Sequence, residues 1–356
     1  MGAVGVLGMG YFLPPEIRTN DWWPQATVDR WQDRSAHRGT NPEAPTSLSA
    51  GARRTLEAFE AYADDPFRGA RERRIMPSDM SAVDMETAAA REAIMRADVT
   101  LDSIDAVLVQ TPVPDQLMVN QAAVTHGVLG LRRDCVALST QAASNGFAMH
   151  ATLARSMILS GAARHVLSIH SSAITRLLDA EQPDSAWWGD GAAAAVFGPV
   201  SAGRGLLAAT HDVDSANSDA LVLGVPGKPW WEDGAITTYP ANRAHTGAML
   251  LSLVDRARDA IHRALAEAGL LPSDVDFYAS HQGTAWLAEV TRRHSGLELA
   301  RTVTTFSSAG NMSSACVPYV LALGEREESI PEGAVVATFG GGLGETWSSL
   351  VFRWGR

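Results

Sequence analysis

The sequence predicts a layered α/β protein assembled from two similar halves. Three observations carry this reading. The first is an approximate repeat: "REAIMRADVTLDSIDAVLVQTP" begins at Arg91 and "RDAIHRALAEAGLLPSDVDFYASHQ" at Arg258. Each copy opens with apolar residues at helical spacing, passes a serine- and aspartate-containing turn, and ends in a short β-rich run. The second is the alternation of helical and strand-like stretches after each copy, the pattern of packed α/β layers. The third is bulk: 356 residues, 46% hydrophobic and 19% charged, enough for a large core divided between two units. The boundary is expected near residue 200, giving halves 1–199 and 200–356.

Taken in order, the opening "GVLGMGYF" has glycines, but neither the third glycine nor the downstream acid of a dinucleotide-binding loop, so it is expected to turn from strand to loop. Residues 21–65 are rich in Trp, Arg, Pro and Thr, with local helical signal only in "LSAGARRTLEAFEAYADD". They read as a helical excursion over the surface, either a peripheral packing helix or a lid. "RGARERR", Arg68–Arg74, is expected to be a solvated face. After the first repeat, "CVALST" is expected to form a buried strand, and "FAMHATLARSMILS" a helix presenting Phe147, Leu153 and Ile158 to one side. "WWGDGAAAAVFG" reads as a turn before a buried strand, with Asp190 satisfying loop amides. The second repeat is followed by "TTFSSAGNMSSACVPYVLALG" and by the strand pair "GAVVATFGGG" and "ETWSSLVFRW".

Composition removes several classes of function. The 40 acidic against 29 basic residues leave a net charge of -11, which argues against a nucleic-acid surface. Two distant cysteines, Cys135 and Cys316, imply no disulfide framework and fit a reducing compartment. The N-terminal stretch lacks the basic region and cleavage site of a signal peptide. No apolar run reaches the roughly 18–20 residues of a membrane span. A cytoplasmic protein with neither membrane nor nucleic-acid partner is expected. No His/Cys/Asp cluster has metal-ligand spacing, so no metal site is expected.

The chemistry centres on "STQAASNGFAMH". Ser144 is placed at a strand-to-helix junction with Gly146 after it and small Ala142 and Ala143 before it. Serine is a favoured helix cap, so a capping role competes with a nucleophilic one. The functional reading gains from the N–H donors and positive dipole end that a helix start offers to an oxyanion. A serine nucleophile also needs a base. His281 in "YASHQGT" follows the second repeat's strand, and Asn311 in "SSAGNMSSACVP" occupies another small-residue strand-to-helix turn. Taken singly, His281 reads equally well as a cap and Asn311 as a turn residue.

Several motifs together resemble the β-ketoacyl synthase III family of the thiolase-like superfamily. In order they are "GVLGMGYFLPPEIRTN", "GARERR", "QAASNGF", "WWGDGAAAAVFG", "SHQGTAW", "GNMSSACVP" and "FGGGLGETWSSLVFRW". The resemblance spans nearly the whole chain except the 21–65 excursion. It implies a five-layered αβαβα fold, a homodimer, and a nucleophile-His-Asn catalytic group that maps onto Ser144, His281 and Asn311. It also implies an oxyanion hole from the backbone N–H groups of Ser144 and Gly342, and places Met118 at the interface position that closes the partner's acyl pocket. Acyl-CoA is implied as substrate, with no permanently bound cofactor, and an acyl carrier protein or polyketide synthase as partner.

Two departures matter. Serine stands where the family has cysteine, so His281 must take the hydroxyl proton during attack. Serine-bearing relatives prime aromatic polyketide synthases with short starters such as propionyl, and the chain resembles that daunorubicin-type subgroup. Second, Trp286 occupies the position of an arginine that binds the carrier's phosphopantetheine; Arg292 and Arg293, two turns on, are the candidate replacements. The readings left open are an acyltransferase or ketosynthase, a hydrolase that removes unwanted starters, and a non-catalytic specificity subunit.

Overall fold

The computed structural model describes residues 2–36 and 48–356, with the side chains of 34–36 excluded. Two sheets form its frame. The first contains β1 (Ala3–Phe12), β4 (Ala106–Gln110), β5 (Val136–Thr140), β6 (Val166–Ser172) and β7 (Gly191–Val200), in spatial order β1-β7-β6-β4-β5. The second contains β8 (Gly205–Val213), β11 (Phe277–Ser280), β12 (Val335–Gly342) and β13 (Thr346–Arg353), in order β11-β12-β13-β8. Two short ribbons complete the strands: β2 (Glu16–Thr19) with β3 (Glu72–Ile75), and β9 (Val222–Gly224) with β10 (Thr237–Tyr239).

The helices are α1 (Gln25–Ala36), α2 (Ala50–Glu60), α3 (Ala82–Ala97), α4 (Gln121–Leu129), α5 (Gly146–Leu159), α6 (Arg243–Glu267), α7 (Leu287–His294), the single-turn α8 (Phe306–Ala309) and α9 (Cys316–Arg326). Strand side chains alternate between faces, and the core divides accordingly. Leu108, Val166 and Phe197 of the first sheet, and Phe277, Val336 and Leu350 of the second, meet Phe147 and Ala151 of α5 and Val320 and Leu321 of α9. Val107, Val109 and Ile169 turn outward to α3 and α4, whose alanines and Leu129 cover them. Tyr278, Ala337 and Val351 turn to the apolar face of α6. The layers therefore run α3/α4, sheet, α5/α9, sheet, α6: the five-layered αβαβα arrangement the motifs imply.

Local chemistry explains the repeat. Ser81 and Asp84 close a capping box that starts α3. Asn242 caps α6 by accepting from the Ala244 and His245 amides. Each helix is followed by a short turn and a buried parallel strand, β4 in the first half and β11 in the second.

Several expectations are corrected. The "GVLGMGYF" glycines are no turn; they lie inside β1, where a Cβ on Gly8 would sit 2.3 Å from the Ala97 amide nitrogen and one on Gly10 2.3 Å from the Ala89 carbonyl oxygen. Their absence of side chain lets α3 lie directly on the strand. The "RGARERR" run is not a solvated face. Arg73 is fully buried within β3, and its guanidinium donates to the carbonyls of Arg18 and Ala186 and to Asn20 Oδ1. "CVALST" is not buried: β5 is the edge of its sheet, with Val136 and Leu138 exposed. In α5, Phe147 is buried and Ile158 packs partly against the core, but Leu153 faces solvent, since the helix turns it away from both sheets.

Of the 21–65 excursion, residues 37–47 lie outside the described residues, and so does any lid role for them. The described parts pack: Trp23, Val28 and Trp31 cluster with Phe67 and Trp187, while α2 lies on α6 and α7. Among the described residues, no helix is long and apolar enough to cross a membrane.

Candidate active site

Ser144 lies in a 3₁₀ turn, Ala143–Asn145, that leads directly into α5. Asn311 precedes a matching turn, Ser313–Ala315, that leads into α9. The two junctions are built alike. The first residue of each turn is non-glycine with left-handed backbone, φ 44° at Ala143 and 50° at Ser313. Such backbone costs on the order of 1–3 kcal/mol per residue and persists only where the surroundings enforce it. Because α5 and α9 share the central layer, the turns face each other, and Ser144 Oγ lies 3.4 Å from Ser313 Oγ.

The cap interpretation of Ser144 fails. The cap position of α5 is Asn145, with no side-chain cap bond, and among the described residues the Ser144 hydroxyl pairs with Ser313 alone. A hydroxyl at a helix start that caps nothing is available for chemistry.

His281 follows β11 and continues its pairing, since its amide donates to the Phe339 carbonyl at 2.7 Å. Its ring is buried, which pushes its pKa down to about 4, while the nearby Ser313 backbone acts weakly in the opposite direction. Nδ1 is buried without a hydrogen bond in good geometry. The imidazole is thus neutral at pH 7, with a lone pair to offer. Its other nitrogen borders the same space as Asn311: a Cβ built on Gly283 would lie 2.9 Å from His281 Nε2 and 3.6 Å from Asn311 Nδ2. Gly283 leaves open the space onto which both nitrogens converge.

Asn311 does hold its turn, as the simpler reading has it, and that fixes its orientation. Its Oδ1 accepts from the Ser313 amide at 2.9 Å, and its own amide donates to the Trp187 carbonyl at 2.7 Å. With Oδ1 engaged, Nδ2 is the group left to face the open space. Exposures of 8% for Ser144, 9% for His281 and 7% for Asn311 place all three just beneath the surface. Ser144 and His281 are not directly hydrogen-bonded in this conformation; Ser313 stands between their two turns.

Gly342 ends β12 against the nucleophile turn. A Cβ there would meet the Ala142 carbonyl oxygen at 2.6 Å, and one on Gly340 would meet Asn145 Oδ1 at 3.1 Å. The three-residue turn that follows, Leu343–Glu345, is pinned by Glu345, whose buried carboxylate accepts from Arg256 at 2.7 Å and from Asn217 at 3.0 Å; Arg256 also lies over the Trp347 ring. Beside the turn opens a mostly apolar cavity of about 420 Å³, with Pro112, Ala142, Ala143, Met149, Leu223 and Leu343 in its wall. Met118 is not in that wall; it stands fully exposed between Leu117 and Val119. Arg292 is committed to Glu289 and to the carbonyls of Leu297, Glu298 and Ala300, so it is a structural residue rather than a carrier contact. Trp286 is buried against Phe59 of α2.

Asp190 accepts from the Met76 and Thr175 amides, as the turn reading implies. Sequence reasoning passed over Ser313, Gln282 and Gln110. Gln282 ties His281 to the next loop by donating to Val303 and accepting from Thr305. A polar residue ending an apolar strand, as Gln110 does in "AVLVQ", was the available signal. Among the described residues no group of three or more His, Cys, Asp or Glu could hold a metal ion.

Two facing turns at the starts of α5 and α9 carry the hydroxyl and the oriented amide, the neutral imidazole after β11 lies beside them, and the layered fold around them is of the thiolase-like class. The sequence matches the family described as 3-oxoacyl-[acyl-carrier-protein] synthase III over residues 138–215, and its C-terminal part over residues 265–354. A β-ketoacyl-[acyl-carrier-protein] synthase III of Bacillus pumilus is 32% identical over 360 residues, covering 99% of each chain. One from Thiobacillus denitrificans is 30% identical over 80% of this chain and 88% of its own. The chain belongs to the β-ketoacyl-[acyl-carrier-protein] synthase III family, and is an acyl-transferring enzyme. Among solved structures, the Pseudomonas aeruginosa synthase III superposes with TM-score 0.78 at 25% identity, covering 99% of both chains. The priming β-ketosynthase of the R1128 polyketide pathway superposes with TM-score 0.80 at 24% identity, covering 99% of this chain and 96% of its own.

Proposed function

We propose that the protein takes a short acyl starter, propionyl for preference, from acyl-CoA onto Ser144 and passes it to a carrier-bound acceptor to prime a polyketide synthase. Acyl-CoA enters as a substrate, and no resident cofactor takes part. The observation that carries this reading is the uncapped Ser144 hydroxyl at the start of α5, in the family's nucleophile position, beside a neutral buried histidine.

In the acylation step Ser144 Oγ leaves Ser313, closes on His281 Nε2 and attacks the thioester carbonyl. The O–H proton passes to Nε2 as the C–O bond forms, and the amides of Ser144 and Gly342 receive the oxyanion. The C–S bond then breaks, and the imidazolium protonates the departing thiolate, leaving an acyl ester on Ser144 and free coenzyme A. Asn311 Nδ2 donates to the carbonyl of the incoming acceptor thioester. An oxyester is a poorer acyl donor than a thioester, which favours transfer to a nucleophilic acceptor over direct carbanion attack. The cavity beside the turn receives the acyl group.

The serine supports a relation to the daunorubicin-type starter proteins, and the R1128 priming β-ketosynthase shares the fold. We read residues 1–199 and 200–356 as the two copies of the duplicated unit. We also read the protein as a homodimer: the unpaired outer edge of β5, with exposed Val136 and Leu138, continues into exposed Val124 and Val128 of α4, and Met118 would reach across to the partner's cavity.

The test is intact-protein mass spectrometry after incubation with a panel of short acyl-CoAs. A propionyl adduct on the wild type that is absent from Ser144→Ala supports the proposal. No adduct with any member of the panel refutes it. Free acid released as fast as the enzyme is acylated, with carrier protein present, would identify a hydrolase instead.

A further inference from the structure

Beneath the nucleophile turn runs a chain of polar side chains, most of them buried, that the acylation chemistry does not use. His150 of α5 and Ser168 and His170 of β6 are all fully buried, as is Gln110 at the end of β4. His170 Nε2 lies 2.8 Å from Ser168 Oγ, which lies 2.9 Å from His150 Nδ1. His150 Nε2 lies 2.8 Å from Thr140 Oγ1, which lies 3.0 Å from Gln110 Oε1. Gln110 Oε1 also accepts the Ala142 amide at 2.8 Å, and its Nε2 donates to Gln141 Oε1 at 2.9 Å. Gln141 Oε1 accepts the Ala143 amide at 3.2 Å.

The donors and acceptors fix every proton in this chain. An amide oxygen only accepts, so the Thr140 hydroxyl donates to Gln110. Thr140 must then accept from His150 Nε2–H, which leaves His150 Nδ1 to accept from the Ser168 hydroxyl. Ser168 in turn accepts from His170 Nε2–H. Both rings are neutral, each with its proton on Nε2, and all the bonds point toward Gln110. Burial lowers the pKa of both histidines, His150 to about 3, in keeping with this arrangement. His170 Nδ1, at the far end, is buried without a partner.

We propose that this one-directional chain is a positioning device for the nucleophile: it captures the two amides immediately before Ser144 and thereby holds the left-handed Ala143 that aims the hydroxyl into the site. Within the turn the Asn145 amide donates to the Ala142 carbonyl and β12 abuts it, but the turn's own alanine side chains hold nothing. Ala142 and Ala143 have no side-chain polar groups, and α5 begins without a side-chain cap. The two glutamine oxygens replace the missing restraint, and the hydroxyl–imidazole chain polarises Gln110 Oε1 and fixes it in place. Packing adds to this: a Cβ at Gly146 would sit 2.6 Å from Gln110 Cγ, so the glutamine stem lies directly under the start of α5. Gln110, Thr140, Gln141 and His150 are positioning residues; none of them touches the reacting atoms.

The effect on rate rests on acylation of Ser144, so the experiment reads the turn in a second, independent way. Thr140→Val keeps the shape and removes the hydroxyl, while Thr140→Ser keeps the hydroxyl. Gln141→Met and Gln141→Glu form an exposed pair in which only Glu retains the accepting oxygen. Two quantities are measured on the full-length protein: single-turnover acylation by propionyl-CoA as a function of its concentration, and hydrogen exchange of the Ala142 and Ala143 amides by NMR. Thr140→Val and Gln141→Met are expected to slow the limiting acylation rate at least five-fold, with half-saturation unchanged, and to speed exchange at Ala142 or Ala143 at least five-fold. Thr140→Ser and Gln141→Glu should stay within two-fold of wild type in both. Wild-type exchange in Thr140→Val and Gln141→Met overturns the proposal whatever the enzyme does with acyl-CoA. Faster exchange with an unchanged acylation rate overturns the positioning role. A wild type that shows protected amides but never acylates counts against the proposed function, not against the chain.

Discussion

If His281 is the base proposed for Ser144 acylation, it should leave an unusual mark on the pH dependence of that step. Burial pushes the His281 pKa down to about 4, with no carboxylate on Nδ1 to restore it. Relative to an ordinary histidine near 6.5, the imidazolium is disfavoured by roughly 3 kcal/mol at about 1.36 kcal/mol per unit. At pH 5.5 such a ring is about 97% neutral, whereas an ordinary histidine would be only about 9% neutral. The acylation rate should therefore be nearly flat from pH 8 to pH 5.5 and fall tenfold per unit only below about pH 4.

The assay is rapid-quench acylation with propionyl-CoA after a brief pH jump, with circular dichroism confirming that the fold survives the jump. Stability needs that control because a histidine with a lowered native pKa makes the unfolded state bind more protons between about 4 and 6.5, so stability falls as pH falls through that window. His150 and His170 act in the same direction. His281→Ala should lose about 10²–10⁴-fold in rate and all of the remaining pH dependence. A half-maximal rate near pH 6.5 in the wild type, with the fold intact, would refute the claim that a desolvated neutral imidazole is the base.

Gly342→Ala places a methyl 2.6 Å from the Ala142 carbonyl oxygen, and should cost about 1–3 kcal/mol of stability in urea titrations while reducing acylation further than that loss of folded protein explains. Leu138→Arg puts a charge on the exposed edge of β5, and should convert a dimer into a monomer in sedimentation velocity; an unchanged dimer would place the interface elsewhere. Glu86 is fully buried among Ser171, Thr125 and Gln121, and burial pushes its carboxyl up to about 7. Its native state binds the extra proton between about 4.5 and 7, so the stabilisation it gives at low pH is lost as pH rises through that window. Glu86→Gln should therefore gain up to about 3 kcal/mol relative to wild type between pH 5 and pH 8, measured by denaturant titration at both values.

Much of this architecture was legible because periodicity and turn chemistry are local. The helix-turn-strand repeat became α3–β4 and α6–β11, and Ser144 and His281 stand beyond strand ends as the spacing puts them, whereas Asn311 follows the single-turn α8 and not the expected strand. What was not legible depends on tertiary neighbours. Arg73 sits in a run of charges that looks solvated, yet its partners are carbonyls more than 50 residues away in sequence at Arg18 and Ala186. Whether "VALST" is buried depends on its place at the sheet edge, and whether Leu153 is buried depends on how α5 lies between the two sheets; neither position leaves a trace in the strand or helix pattern itself.

The site shows the same division, and it bears on what the proposed acylation asks of an alcohol. Each thiol in the chain is unfit for the task. Cys135 precedes β5, and Cys316 begins α9 with its sulfur held by the Met312 amide; burial pushes both up to about 11, far from the thiolate form at neutral pH. A hydroxyl offers no anion either, so its reactivity must come from alignment: a neutral acceptor, donors aimed at the oxyanion, and a fixed rotamer. Those needs match the surroundings of Ser144, where two strained turns face each other, Asn311 is locked with its amide outward, and buried hydrogen bonds hold the backbone on the near side. Three residues of this arrangement could be read from the sequence as a nucleophile, a base and a donor. The glutamines, hydroxyls and imidazoles that hold them lie on β4, β5, α5 and β6, and only the packing of those elements shows that they form one chain.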